Sequence, residues 1–363
     1  MKKGLPKWAD VILIPLLSLT LALLVSGLVV MFIGKDPIEA VQVMLAGAFG
    51  KFGIGYTLYY TTNFIFTGLA VAIAFHARMF NIGGEGQAGL GGVGVAVVLL
   101  AVDWPHWTVA IVAASVGAMV FGAAWAAIPA YLQAKRGSHI VITTIMFNWI
   151  GSALVVYLLV GPMQAPGMVP ETLGFSAGAS IPTLHDIFGI FGIPFDKHAP
   201  VNVSLFLGLI AAFAVWVLVW KTRLGYEIRA FGHSEKAAIY AGISPLKIIM
   251  TVMLISGGLA GMMAVNTVMG EAERLVLDSV QGAGFVGIAV ALMGRSHPVG
   301  VVLAAFLFGI LYQGGGELSF AMGIPREMIV VIQALVIMFV GSLENMVRIP
   351  VERLFVRLNK GEA

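Results

Sequence analysis

Val11-Ile-Leu-Ile-Pro-Leu-Leu-Ser-Leu-Thr-Leu-Ala-Leu-Leu-Val-Ser-Gly-Leu-Val-Val-Met-Phe-Ile33 runs for 23 residues without a charged side chain. A helix needs about 20 mostly apolar residues to cross the hydrocarbon core of a bilayer. Nine further stretches read the same way: 56–75, 87–102, 107–132, 140–161, 201–220, 247–270, 281–294, 298–313 and 327–344. Those at 87–102, 281–294 and 298–313 are short and rich in glycine. Composition agrees with the spans. Of the 363 residues, 59% are apolar and only 11% charged, and mean hydropathy is +0.97. Soluble domains are about 25% charged, so this chain cannot clothe itself in a water-facing surface. The expected fold is all-α and polytopic, with about ten transmembrane helices.

The first span follows Lys2, Lys3 and Lys7, as a signal peptide would. Its apolar run is too long for a signal h-region and no small-residue cleavage site follows, so it reads as a retained span. Ten spans put both termini on one side. With the termini in the cytoplasm, all but five of the 21 Lys and Arg fall in cytoplasmic segments, the five being Lys35, Lys51, Lys197, Arg274 and Arg326. This is the asymmetry of the positive-inside rule. It accounts for the net charge of +3 without a nucleic-acid partner.

The expected organisation is one transmembrane domain over residues 1–345 with a cytoplasmic tail over 346–363. An outer loop at 162–200 carries Pro162, Pro166, Pro170, Pro182 and Pro194, and it is long enough to hold short structure. A polar inner segment at 221–246 divides the spans into two sets of five. Gly91-Gly-Val-Gly-Val-Ala-Val97 resembles Gly284-Phe-Val-Gly-Ile-Ala-Val290. That is either an inverted five-helix repeat of the kind found in transporters or a recurrence of residues common in any membrane helix.

The chain lacks the usual catalytic constellations. There are no cysteines, which excludes thiolate metal sites and a cysteine nucleophile. Gly47-Ala-Phe-Gly-Lys-Phe52 lacks the P-loop spacing, and neither H-E-x-x-H nor G-x-S-x-G occurs. The seven histidines lie at loops and span ends without ligand spacing.

Two polar stretches stand out. Met79-Phe-Asn-Ile-Gly-Gly-Glu-Gly-Gln87 interrupts an apolar region. It reads either as a re-entrant turn beside a solute path or as a capped cytoplasmic loop. Irregular backbone at membrane depth survives only when buried in protein or lining a cavity. Glu85 is suited to accept amide hydrogens at a helix start. In the inner segment, Ser234 caps a short helix over 235–241, Gly242 ends it and Pro245 blocks its continuation. That helix is either a lid on the bilayer surface or a peg for a soluble partner. Asn63, Gln133, Asn148, Asn266, Gln313 and Gln333 lie in or beside spans, where such residues join helices or face a hydroxylated solute.

Four stretches together resemble a known family: Met79–Gln87, Gly137-Ser-His-Ile-Val-Ile-Thr-Thr-Ile-Met-Phe-Asn148, Thr222–Gly242, and Asp278–Gly294 with His297-Pro-Val-Gly300. The chain is similar over about residues 10–345 to inner-membrane permease subunits of ABC importers in the ribose and branched-chain amino acid permease superfamily. Met79–Gln87 resembles the branch that imports nucleosides or simple sugars.

The resemblance implies a subunit that is not itself an enzyme. Two permease chains, alike or related, would line the path for a nucleoside. An ABC ATPase would bind ATP and Mg, and an extracytoplasmic solute-binding protein would deliver the solute. By the same resemblance, Arg229, Gly232, Ala237, Ala238 and Gly242 would couple to the ATPase. His233 stands where the family pattern more often has Asn or another small polar residue. Asn81, Glu85, Gln87 and Asn148 would border the path. No cofactor or metal is expected in this chain, and its place would be the bacterial inner membrane. The alternatives are a pentose or hexose ABC permease and a carrier driven by an ion gradient.

Overall fold

A computed structural model describes residues 6, 9, 13–189, 195–339 and 346–353. Lys2, Lys3, Lys7, Pro194, Arg357, Lys360 and the end of the last expected span, 340–344, lie outside the described residues. The described structure is helical, and its only β pairings there are two isolated bridges, Glu171 with Val276 and Thr183 with Asn202. Seven helices are long and apolar enough to cross a membrane, which makes this a multi-pass membrane protein.

The chain divides into two compact units. One comprises residues 1–48 and 310–363. It holds α1 (Ile14–Phe32), nearly all of α2 (Pro37–Phe49), the end of α13 (Pro298–Met322) and α14 (Arg326–Ile337). Helix α2 had no counterpart among the expected spans, because its 13 residues include Glu39 and Gln42 and are too few to cross. It forms because Asp36 receives the N–H of Ile38 at 2.8 Å and Pro37 opens the first turn. The axes of α1 and α2 differ by 114° at the break. The span expected to end at 313 continues to Met322. It runs on through Gly314-Gly-Gly316, where Gly314 and Gly315 are packing positions. A Cβ on Gly314 would lie 2.4 Å from Met44 Cγ, and one on Gly315 would lie 2.5 Å from Ile329 Cγ2.

The other unit, residues 49–309, holds α3 (Gly53–His76), α4 (Gly84–Ala101), α5 (Trp107–Arg136), α6 (Ile140–Val160), α7 (Leu184–Gly189), α8 (Ser204–Lys221), α9 (Arg223–His233), α10 (Glu235–Tyr240), α11 (Pro245–Ala264, continued as a π turn over Val265–Glu271), α12 (Ala283–Met293) and the start of α13. Helix α3 is its axis, with an unbroken buried run from Thr61 to Ala74. Helix α11 packs on α3, α4 and α5. It lies so close to α5 that a Cβ on Gly257 would sit 2.5 Å from the carbonyl oxygen of Gly122. In a bilayer no hydrophobic force draws helices together, so close backbone approach through small residues supplies the dispersion contact.

Helix α12 differs most from its expected span. Eleven residues rise only about 16 Å, roughly half the hydrocarbon thickness. Residues 272–282 before it are irregular, and Glu273, Asp278, Gln281 and Gly282 have positive φ. Helix α4 begins three residues earlier than expected, at Gly84. The two glycine-rich stretches that matched in sequence have different surroundings. Gly91 abuts Gly261, whereas Gly284 abuts Gly84 and Glu85. The outer loop carries a 3₁₀ turn at Ala177–Ala179 and the short α7. It is fastened by Arg274 to Glu171 at 2.8 Å and by the N–H of Thr172 to the carbonyl of Leu275 at 3.0 Å.

Candidate functional site: a polar layer and a coupling surface

After α3 the chain turns back through residues 77–83 and starts α4 among four other helices. Asn81, Gln87 and Asn148 are buried there. Asn81 Nδ2 donates to Gln87 Oε1 at 2.9 Å and to Ser256 Oγ at 2.8 Å. Its Oδ1 accepts Gln87 Nε2 at 3.1 Å and the N–H of Gly83 at 2.9 Å. Ser256 donates onward to the carbonyl of Ala70 at 2.5 Å. Asn148 accepts the N–H of Gly86 at 2.9 Å and donates to the carbonyl of Ile82 at 2.8 Å. The first N–H groups of a helix have no partner within it, and Asn148 supplies one for α4. A buried amide left unpaired costs about 1–3 kcal/mol, so this reciprocal network fixes the course of the turn.

Glu85, in the first turn of α4, reaches across to α12. Its Oε1 accepts the N–H of Gly282 at 2.8 Å and its Oε2 accepts that of Gly284 at 2.9 Å. The sequence suggested a carboxylate at a helix start. The structure places it at two starts at once, each favouring negative charge. The backbones touch, because a Cβ on Gly284 would lie 2.2 Å from the N of Glu85. A cavity of about 310 Å³ opens beside this joint, lined by Glu85, Gly86, Ser152, Asp278 and Ser279 among others.

Of the four residues expected along a path, Glu85 alone borders that cavity, while Asn81 and Gln87 are bonded to each other and Asn148 to the backbone of Ile82 and Gly86. Ser256, Ser152, Asp278 and Ser279 were not anticipated. The signal for Ser256 was its place before Gly257-Gly258 in an apolar span. The others needed the fold.

A second amide cluster joins α3, α8 and α11. Asn266 donates to Asn63 Oδ1 at 2.8 Å and to the carbonyl of Tyr59 at 3.1 Å, and accepts from Asn202 at 3.0 Å and Ser204 at 2.7 Å. Asn63 and Asn266 therefore act as interhelical joints. Gln133 Oε1 is buried without a partner among the described residues.

The inner segment forms two helices rather than one. Thr222 caps the unanticipated α9 by accepting the N–H of Gly225 at 3.1 Å. Ser234 caps α10 by accepting that of Ala237 at 3.4 Å. Gly242 follows at φ +84°, Gly being the residue for that stop. Ile228, Phe231 and Ala238 are buried in a cluster with Met79, Ile140, Ile248 and Val252. Gly232 presses on the end of α3, where a Cβ would lie 2.0 Å from the carbonyl oxygen of His76. His76 Nε2 is 3.0 Å from the carbonyl of Ser296, just beyond α12. Of the five expected coupling residues, Gly232 and Ala238 thus seat the helices, Ala237 is exposed, Gly242 ends α10, and Arg229 is partly buried with its Nε unpaired among the described residues. The outward face carries Tyr226, Ile239 and Tyr240, the last 97% exposed. Away from the helices, Asp196 receives the N–H of His198, which holds its carboxyl below the usual carboxylate range.

Residues 53–341 match the family described as branched-chain amino acid transport system / permease component. The glucose ABC transporter permease protein TsgB13 of Haloferax volcanii is 35% identical over 91% of this chain and 87% of its own length. The guanosine ABC transporter permease protein NupP of Bacillus subtilis is 34% identical over 91% of this chain and 93% of its own. The nucleoside ABC transporter permease protein NupB of Lactococcus lactis is 32% identical over 91% and 90%.

Proposed function

The chain belongs to the branched-chain amino acid transport system permease family, and on that premise we propose that it is a transmembrane subunit of an ATP-driven importer of nucleosides. It would work with a second permease chain, like or related, an ABC ATPase that binds ATP and Mg, and a solute-binding protein outside the membrane. The bacterial inner membrane is the proposed location. Ten crossings with cytoplasmic termini are the proposed topology, with residues 272–282 and α12 together making one crossing, half irregular and half helical. The bias of Lys and Arg toward one side supports this orientation.

One observation carries the mechanism. The helices α9 and α10, with Tyr226, Ile239 and Tyr240 exposed, are wedged by Gly232 against the end of α3. From His76 the contact continues to Ser296 and so to α12, whose other end is held by Glu85. A docked ATPase that moves α9 and α10 would move this chain of contacts. Uphill import requires that ATP binding favour one arrangement over the other, which needs a partner contacting the two states differently. The joint between Glu85 and α12 lies beside the 310 Å³ cavity, and in this proposal it is the gate. Asn81, Gln87 and Asn148 hold the frame of that gate.

The test is uptake of radiolabelled guanosine and glucose by cells carrying the full transporter, with and without the ATPase Walker lysine. Guanosine uptake that needs the lysine and survives an uncoupler supports the proposal. Glucose uptake alone would move the assignment to the sugar branch. Sensitivity to the uncoupler with indifference to the lysine would indicate an ion-driven carrier.

A further inference from the structure

A second cavity, of about 460 Å³, lies away from the gate, where the start of α3, the start of α5, the outer loop and the end of α11 meet. Its volume falls in the range of small-molecule sites, about 300–1,000 Å³. Tyr56 and Trp107 supply aromatic surface, and Asp186, Glu271, Glu273 and Lys197 supply charge. Three carboxylates against one ammonium leave the Asp, Glu and Lys of the lining at a formal charge of minus two.

The carboxylates are held in place. The buried Tyr59 hydroxyl donates to Glu271, and the Ser180 hydroxyl donates to Glu273. The second oxygen of each has no hydrogen-bond partner among the described residues. Asp186 is occupied by its own loop, accepting the N–H of Thr183 at 3.0 Å and its hydroxyl at 2.8 Å. Glu273 has φ +51°, a left-handed conformation unfavourable to a non-glycine residue. That backbone turn brings a second carboxylate, two residues after Glu271, into the same cavity. Ionised carboxylates only accept hydrogen bonds. A vicinal diol donates two. An aromatic base stacks on Trp or Tyr. A phosphate ester brings negative charge to a negative cavity with a single ammonium to offset it.

We propose that this cavity is a loading subsite of the permease that takes an uncharged nucleoside by its ribose diol and base and rejects the corresponding nucleotide. The proposal rests on the nucleoside-import reading above and deepens it. Selection against phosphorylated solute would then reside partly in the permease rather than wholly in the binding protein.

The experiment is saturation-transfer difference NMR on the purified full transporter without binding protein, with guanosine and guanosine 5′-monophosphate as probes. Wild type should saturate guanosine and give about tenfold less transfer to the monophosphate. Glu273→Gln should weaken guanosine about tenfold, the size of one charge-assisted hydrogen bond, and narrow the preference over the monophosphate. Trp107→Ala should weaken guanosine without narrowing that preference. Equal transfer to both probes in wild type would overturn the proposal without recourse to any variant. So would guanosine binding indifferent to both substitutions in proteins with an unchanged unfolding midpoint. Failure of the import reading shows separately, as absent guanosine uptake by cells in which the purified transporter still binds guanosine at this cavity.

Discussion

Glu85 and Gly284 lie 199 positions apart in sequence, yet the Glu85 carboxylate accepts the Gly284 N–H at 2.9 Å. Two helix starts, those of α4 and α12, therefore share one negative charge. Removing it strands two amide donors beside a cavity and leaves two positive helix poles facing each other.

Glu85→Ala should reduce solute uptake at least about tenfold and lower the unfolding midpoint of the purified subunit. Glu85→Gln keeps one acceptor and should fall between it and wild type in both. Hydrogen bonds to a charged group contribute about 1.5–3 kcal/mol, so the order should be resolvable by thermal scans in detergent alongside uptake. Wild-type behaviour of Glu85→Ala would remove the joint from the mechanism.

Gly232→Val should abolish uptake while the protein still inserts. The existing contact leaves no room, a Cβ lying 2.0 Å from the His76 carbonyl oxygen, so α9 must lift from α3. Membrane fractionation by immunoblot together with uptake checks this, and full transport in the variant would exclude the wedge.

Tyr240→Asp tests docking without touching the fold, since Tyr240 is 97% exposed. The subunit should keep its unfolding midpoint but recover at least about fivefold less ATPase on affinity purification, in line with a lost aromatic anchor of about 1 kcal/mol or more. Arg229→Glu should also lose the ATPase. In that case the charge reversal acts on a partly buried group, so its unfolding midpoint should fall as well.

Asn81 and Gln87 satisfy each other through two hydrogen bonds, at 2.9 and 3.1 Å. Asn81→Leu alone leaves the buried Gln87 amide unpaired and Gln87→Leu alone takes two of the four hydrogen bonds of Asn81, whereas the double substitution removes both ends of the shared pair. The double-mutant cycle should therefore show non-additivity of about 1–3 kcal/mol. It can be read from reversible unfolding in detergent, and additive effects would mean that the two side chains are not coupled.

Much of the site was legible as residue type but not as geometry. Asn81, Glu85, Gln87 and Asn148 were marked because polar groups in an apolar stretch must find partners. Ser234, Gly242 and Pro245 were marked because caps and stops act locally. The partners themselves were out of reach. Ser256 is 175 positions from Asn81, and no periodicity links them. Helix α9 was missed because its start depends on one hydroxyl, that of Thr222, and its stability on burying Ile228 and Phe231 in a distant cluster. Helix α2 does not show as a span because its 13 residues, with Glu39 and Gln42 among them, are too few and too polar to cross a bilayer.

The amino-acid sequence by itself determined that this is a helical membrane protein. Water cannot solvate a chain with 59% apolar and 11% charged residues, lipid accepts backbone only when its hydrogen bonds close within helices or barrels, and apolar runs of about 20 residues are of helix length. Tertiary structure alone decided that α12 is a half-length helix, that Glu85 belongs to two helix starts, and that Glu271 and Glu273 share a cavity with Trp107. These depend on which distant backbones approach closely. Such approach is a property of packed helix pairs, and no single segment encodes it.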